Sequence, residues 1–91
     1  MDMEYPTQAE LDEIKKWDHA DPQGLIAYVR NLWHWPEMTK LNGRKVLRFT
    51  VATGGWSGNE DIIGAMMESM FWQLWWEKSE RGGRYTFIVR R

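Results

Sequence analysis

The order of apolar and polar positions divides this chain of 91 residues into short segments, each with one periodicity. Apolar residues that repeat every three to four positions predict amphipathic helices, whereas strict alternation predicts strands with one buried face. The segments follow in the order α-α-β-β-α-β-β. The pattern therefore predicts one small α+β domain over residues 1–91. We expect three or four strands in an antiparallel or mixed sheet, with the helices packed mainly on one face.

Two capping signals predict the helices at the start of the chain. The segment Thr7–Glu10 matches the capping box, which predicts a helix over residues 8–18. Asp21-Pro22 supplies an N-cap residue followed by a first-turn proline, and so predicts a second helix. This helix should end near Trp33, because Trp35-Pro36 forces extended backbone and removes a hydrogen-bond donor.

The middle of the chain predicts a β-hairpin and then a helix. Asn42-Gly43 is a strong hairpin signal, and it joins an edge strand near residues 38–41 to a strand over residues 44–53. Alternation in the second strand gives one buried and one polar face. The helix that follows carries an apolar stripe at helical spacing. Its members are Ile62, Ile63, Met66, Met67 and Met70.

The segment at residues 71–78, FWQLWWEK, fits either a helix or a strand. Its aromatic content favours a strand, which we predict to be the first of a second hairpin. The turn ERGGR then leads into YTFIVR, where apolar and polar residues alternate. The first strand would be apolar on both faces. Such a strand is either covered on both sides or presents a face to a partner.

The stretch GGWSGNEDII, at residues 54–63, lies between a predicted strand and a predicted helix. This is the geometry of nucleophile elbows and of phosphate-binding turns. The match to G-x-S-x-G fails at Asn59, both histidines precede Ser57, and no nucleotide-binding motif is complete. Ser57 and Glu60 instead match a capping box, and the acidic first turn would repel an anion. We interpret the stretch as a capped turn.

Other reactive constellations are weak. The chain has no cysteine, and its two histidines, His19 and His34, are far apart in sequence and lie beside predicted helix ends. Neighbouring carboxylates on a helix point in different directions, so they do not form an acid/base pair. We expect no catalytic residues, no metal and no cofactor. An enzyme would require one of the two histidines to lie near Ser57 or a carboxylate.

Charge is distributed unevenly. Residues 1–37 carry eight acids and three bases, and residues 38–91 carry nine bases and five acids. Two interpretations remain open: an anionic partner, or an acidic helical layer packed on a basic sheet.

The acidic start of the chain has no apolar run typical of a signal peptide, and no apolar segment approaches the ~20 residues of a membrane span. The pI of about 6.1 is low for a dedicated nucleic-acid domain.

The pattern TGGWSGNE, an amphipathic helix, an aromatic FW…W segment and S-x-R-G-G-x-Y-x-F resembles a family of short uncharacterised bacteriophage and prophage proteins. The resemblance covers residues 53–87, while the first two helices fit more loosely. It implies a phage-type gene that acts in the bacterial cytoplasm. Small proteins of such genes are often host-takeover or anti-defence factors. The resemblance implies no reaction, cofactor or partner.

Seven tryptophans are more than so small a core buries easily, and tryptophan is enriched at binding hot spots. We therefore expect a non-enzymatic protein that binds a host or phage macromolecule, with a protein partner preferred to nucleic acid. The alternative is binding of single-stranded nucleic acid or a nucleotide by a basic, Trp-rich sheet. The oligomeric state stays open, with a homodimer as one option. The predicted binding residues are Trp35, Trp56, Trp75, Trp76, Arg81, Gly82, Gly83, Arg84 and Tyr85.

Overall fold

Four α-helices and four β-strands follow one another along residues 5–90, the part of the chain that the computed structural model describes. They are α1 (Gln8–Lys15), α2 (Pro22–Leu32), β1 (Thr39–Gly43), β2 (Val46–Ala52), α3 (Ser57–Met67), α4 (Met70–Trp75), β3 (Trp76–Glu80) and β4 (Arg84–Arg90). A 3-10 turn, Pro36–Met38, precedes β1. The predicted order is confirmed, with α4 as an additional helix. None of the described helices has the length and apolar character needed to cross a membrane.

The four strands form one antiparallel sheet in the order β1-β2-β4-β3. Each hairpin places its five-residue first strand at an edge and its seven-residue second strand in the centre. Thr50 lies opposite Thr86 in the central pair, and Phe49 lies opposite Phe87. This arrangement confirms the antiparallel form of the prediction and brings the two hairpins side by side.

All the helices that reach the core do so from one side of the sheet. Alternation along β2 and β4 turns Leu47, Phe49, Val51, Phe87 and Val89 to this side, where each is at most 5% exposed. Helical side chains complete the same cluster: Ile14, Leu25, Ile26, Val29, Ile62, Ile63, Ala65, Met66 and Phe71. The prediction of helices mainly on one face is therefore confirmed, and the other face of the sheet is left uncovered.

The first two helices begin where the capping signals place them. The Glu10 N–H donates to the Thr7 hydroxyl at 3.1 Å, and the Thr7 N–H donates to the Glu10 carboxylate at 2.8 Å. The Asp21 carboxylate accepts from Gly24 N–H at 3.0 Å and caps α2. However, α1 ends at Lys15 rather than residue 18, because Trp17 turns away to donate its indole N–H to the Asp21 carbonyl at 3.0 Å.

The strand prediction for residues 71–78 is wrong over most of its length. Residues 70–75 form α4, and β3 begins only at Trp76. Ser69 explains the difference, because its hydroxyl accepts from Trp72 N–H at 3.3 Å and donates to the Met66 carbonyl at 2.6 Å. A serine in this position starts a new helix, which carries Phe71 into the core.

The first hairpin forms, but its turn lies two residues later than predicted. Asn42 and Gly43 are the last residues of β1, where Asn42 lies opposite Arg48. Arg44 and Lys45 make the connection to β2. The Asn-Gly signal therefore identified the hairpin correctly but not its turn.

Candidate functional site

A buried amide holds the loop after α2 against the turn before α3. Asn59 is fully buried; its amide group donates to the carbonyls of His34 at 2.9 Å and Thr53 at 3.2 Å. Its oxygen accepts from the His34 backbone N–H at 2.9 Å. The Trp33 indole N–H adds a bond to the Ala52 carbonyl at 3.0 Å. The turn that looked like an active site in the sequence is therefore a well-connected structural junction.

Trp56 points into this junction rather than towards solvent. It is 7% exposed, and its ring lies 4.8 Å from Tyr5 and 4.5 Å from His34, measured between centroids. The indole also covers the space that a side chain on Gly58 would need. The indole nitrogen is buried without a partner among the described residues. The prediction that Trp56 contributes to an exposed contact surface is therefore not supported.

The capping box predicted for Ser57 and Glu60 does not form. The helix starts one residue earlier than the box requires: Trp56 is the N-cap and makes no side-chain cap, and its carbonyl accepts from Glu60 N–H at 3.1 Å. The Ser57 hydroxyl donates to the hydroxyl of Tyr5 at 3.0 Å. His34 lies at this junction, with its ring 4.4 Å from that of Trp35 and 4.5 Å from that of Trp56, but within residues 5–90 it makes no hydrogen bond to the Ser57 hydroxyl. His19 is exposed between α1 and α2.

The glycine-rich turn at residues 81–83 meets the turn at residues 53–56 at one end of the sheet. Thr53 N–H donates to the Gly83 carbonyl at 3.0 Å. Gly83 has a φ of 78°, and a Cβ there would collide with the Thr53 hydroxyl, so only glycine fits. Nearby, the ring of Trp35 fills the space beside Gly54. The two turns are neighbours, as the predicted site requires. However, Arg81 and Gly82 are exposed to solvent, whereas Trp56 is buried.

The remaining predicted residues divide between the two faces of the sheet. Arg84 lies on the uncovered face, and Tyr85, the next residue in β4, lies on the helical face, because successive strand residues alternate. Trp76 also lies on the helical side, where it is 44% exposed and stacks on Trp72 at 6.1 Å. Trp75 is half-buried. The nine predicted binding residues therefore do not form one surface.

An apolar patch surrounds the start of α4. Met67, Met70 and Leu74 are each about half exposed. Met70 and Leu74 are four residues apart and so share one side of the helix. The predicted apolar stripe is correct for the buried members of α3, but it is wrong for the two methionines, because α3 ends at Met67 and the chain turns.

The uncovered face of the sheet carries a group of exposed cations. We call it the basic face and define it by Lys40, Arg48, Lys78 and Arg84, all exposed and all on this side of the sheet. They surround Thr50 and Thr86 at the centre of a shallow groove of about 460 Å³. Arg90, at the end of β4, lies on the same side outside the groove. The sequence counted these cations in the basic excess of residues 38–91 but did not show that they lie on one face.

The basic face is only partly neutralised. Its two carboxylates are Glu37, at the rim, and Glu80, whose oxygen lies 4.0 Å from the Lys78 nitrogen. Within residues 5–90, Lys40, Arg48 and Arg84 take part in no ion pair. The side chains that β1 to β4 place on this face between residues 40 and 90 include no aromatic ring.

Acidic residues gather in the helical layer on the opposite side. The pKa of the Tyr28 phenol in α2 is raised above its ordinary value, first by desolvation and then by the negative charges of Glu10 and Glu13. The structure thus has an acidic helical layer packed on a basic sheet, one of the two interpretations of the charge distribution. Among residues 5–90, no three His, Asp or Glu side chains come close enough to hold a metal ion.

Comparisons with protein-family models, with curated proteins and with solved structures give no match. The function therefore has to be argued from the surfaces of the molecule itself.

Proposed function

We propose that this chain is a non-enzymatic binding protein whose basic face holds the anionic surface of a host or phage macromolecule. The observation that carries the proposal is the uncovered sheet face, where four exposed cations surround two threonines and, among residues 5–90, only Lys78 forms an ion pair. Like charges gathered on one face repel each other, so this arrangement does not serve stability. An anionic partner would relieve that repulsion and would be attracted to the face over some distance.

The contacts at the turn before α3, around Trp56 and Ser57, support binding rather than catalysis. The Ser57 hydroxyl is engaged by Tyr5, and the His34 ring lies between the rings of Trp35 and Trp56. A nucleophilic serine needs its base within hydrogen-bond reach. In this junction the histidine packs as an aromatic ring, and the amide of Asn59 fixes its backbone.

The separation of the charged and aromatic residues argues against the alternative of single-strand binding. Proteins that hold single strands combine a cationic groove with aromatic rings on which the bases stack. Here Trp72, Trp76 and Tyr85 form their cluster on the helical side of the sheet, away from the cations. From its resemblance to phage proteins, we propose that the chain acts in the bacterial cytoplasm.

Retention on immobilised heparin tests the proposal. We expect the wild-type protein to bind at low salt and to elute as salt rises, because the contacts are electrostatic. Arg84→Glu should elute at distinctly lower salt. Lys16→Glu is the matched control, since it makes the same change in charge on an exposed residue of the helical side and should elute like the wild type.

Two results would overturn the proposal. One is a wild-type protein that passes through the column at low salt. The other is an Arg84→Glu variant that is retained as strongly as the wild type while circular dichroism shows both proteins folded. In either case the basic face would not be a site for anions.

A further inference from the structure

The cations of the basic face obey an approximate two-fold symmetry. A rotation about an axis between Thr50 and Thr86 exchanges β2 with β4 and β1 with β3. It exchanges the two threonines, which are directly opposite each other. It also exchanges Lys40 of β1 with Lys78 of β3, because Lys40 lies opposite Thr50 and Lys78 lies opposite Thr86. Each central strand then contributes its arginine two residues before its threonine.

These positions make Lys40, Arg48, Lys78 and Arg84 the corners of a rectangle. With strands ~4.8 Å apart and ~3.4 Å between residues, the Cα atoms of the two lysines are about 14 Å apart, and so are those of the two arginines. Two diagonals of equal length that bisect each other define a rectangle, here with sides of about 8 Å and about 12 Å. Two threonines occupy its centre, where Thr50 is partly buried and Thr86 is 1% exposed beneath its neighbours.

From this arrangement we infer that the anionic macromolecule is a nucleic-acid duplex, held by its two sugar–phosphate backbones. The inference rests on the proposed function of the basic face. The two strands of a duplex run antiparallel and are related by two-fold axes perpendicular to the helix. Their phosphates border grooves between ~6 and ~12 Å wide, which flexible lysine and arginine side chains at the corners of the rectangle can bracket. Phosphate contacts of this kind carry no sequence information.

Other occupants match the face less well. A single strand presents one line of phosphates, whereas the rectangle presents two lines of cations, and the strand positions described on this face carry no aromatic ring for stacking. A second copy of this chain that docked through the same face would place cations against cations. An acidic protein surface matches the charge, but nothing about such a surface requires the two-fold relation between Arg48 and Arg84.

Among the strand positions that line the groove, one equivalent pair differs in charge and supplies a sharp test. Rotation exchanges Asn42 with Glu80, so a neutral amide on one side corresponds to a carboxylate on the other. Glu80 lies 4.0 Å from Lys78 and competes with a phosphate for it. Glu80→Gln should therefore strengthen duplex binding several-fold, a gain that loss of structure would not produce.

Fluorescence anisotropy with a short duplex DNA of mixed sequence, and with one of its strands alone, measures the binding. We expect the duplex to bind more tightly than the strand. For four phosphate contacts, its affinity should fall about 100-fold between ~50 and ~200 mM salt. Arg48→Glu should weaken binding about tenfold or more, Glu80→Gln should tighten it, and Lys16→Glu should match the wild type.

The outcomes separate this inference from the proposed function. Equal or tighter binding of the single strand overturns the duplex, and so does a Glu80→Gln variant that binds no more tightly than the wild type. Absence of duplex binding at low salt also overturns it. If retention on heparin still depends on Arg84 in that case, the proposed function stands, and the partner is an acidic protein.

Discussion

The direction of the Trp56 indole changes the interpretation of the turn at residues 53–56. Trp56 covers Gly58 and is enclosed by Tyr5 and His34, so the turn buries an aromatic ring instead of presenting one. The sequence could show that Ser57 does not complete the G-x-S-x-G motif, because Asn59 replaces its last glycine and both histidines precede the serine. It could not show the direction of Trp56, which depends on a loop some twenty residues earlier in the chain.

Two glycines of α3 test this packing. Gly58→Ala places a methyl group into the ring of Trp56 and should destabilise the protein by about 1–3 kcal/mol. Gly64→Ala meets nothing within 4 Å and should stabilise it by about 0.5–1 kcal/mol through helix propensity. Urea denaturation of both variants gives the two free energies of unfolding. Similar values for the two variants would show that Trp56 does not lie over the helix.

Tyr28 tests the electrostatics of the helical layer. Its pKa in the folded state is raised by desolvation and by Glu10 and Glu13. A raised pKa gives stability that is present below the pKa of the unfolded phenol, ~10, and is lost as pH rises above it. The free energy of unfolding should fall more between pH ~9 and ~11 in the wild type than in Tyr28→Phe. Parallel pH profiles for the two proteins would contradict this account.

At the scale of elements, local signals were reliable where a polar side chain caps a helix and weaker where aromatic residues fit two periodicities. The capping box at Thr7 and the Asp21-Pro22 start are both formed. In the segment after Met67, the aromatic content favoured a strand, but the hydroxyl of Ser69 starts α4. The helical structure of residues 70–75 was therefore decided by a single helix cap. The aromatic content was a weaker guide, because β-propensity reflects packing more than backbone preference.

Two serines provide a matched comparison of caps. Ser69→Ala removes a buried hydroxyl that bonds Trp72 N–H and the Met66 carbonyl, and it should cost about 1–2 kcal/mol of stability. Ser57→Ala removes only an exposed bond to Tyr5, so its effect should stay within about 0.5 kcal/mol. Thermal unfolding followed by circular dichroism compares them. A larger loss for Ser57→Ala would restore the predicted capping box.

At the scale of the whole molecule, charge and aromatic residues occupy opposite sides of one sheet. Alternation along β2 already separated Arg48 from Phe49 in the sequence. The rectangle of cations could not be predicted from the sequence, because it depends on the pairing of β2 with β4. Local periodicity does not determine which strands pair. The fold class was therefore predictable, whereas the site required the register between two hairpins 30 or more residues apart.

The most direct test of the central claim is an NMR titration of the ¹⁵N-labelled protein with a short heparin oligosaccharide. The account predicts shifts of amide signals concentrated at the basic face, around Lys40, Arg48, Lys78 and Arg84, with Thr50 and Thr86 between them. Signals of the helical layer, including those of α1, should stay in place. Shifts centred on the apolar patch near Met70 or on the turn of Trp56, with the basic face unchanged, would contradict it.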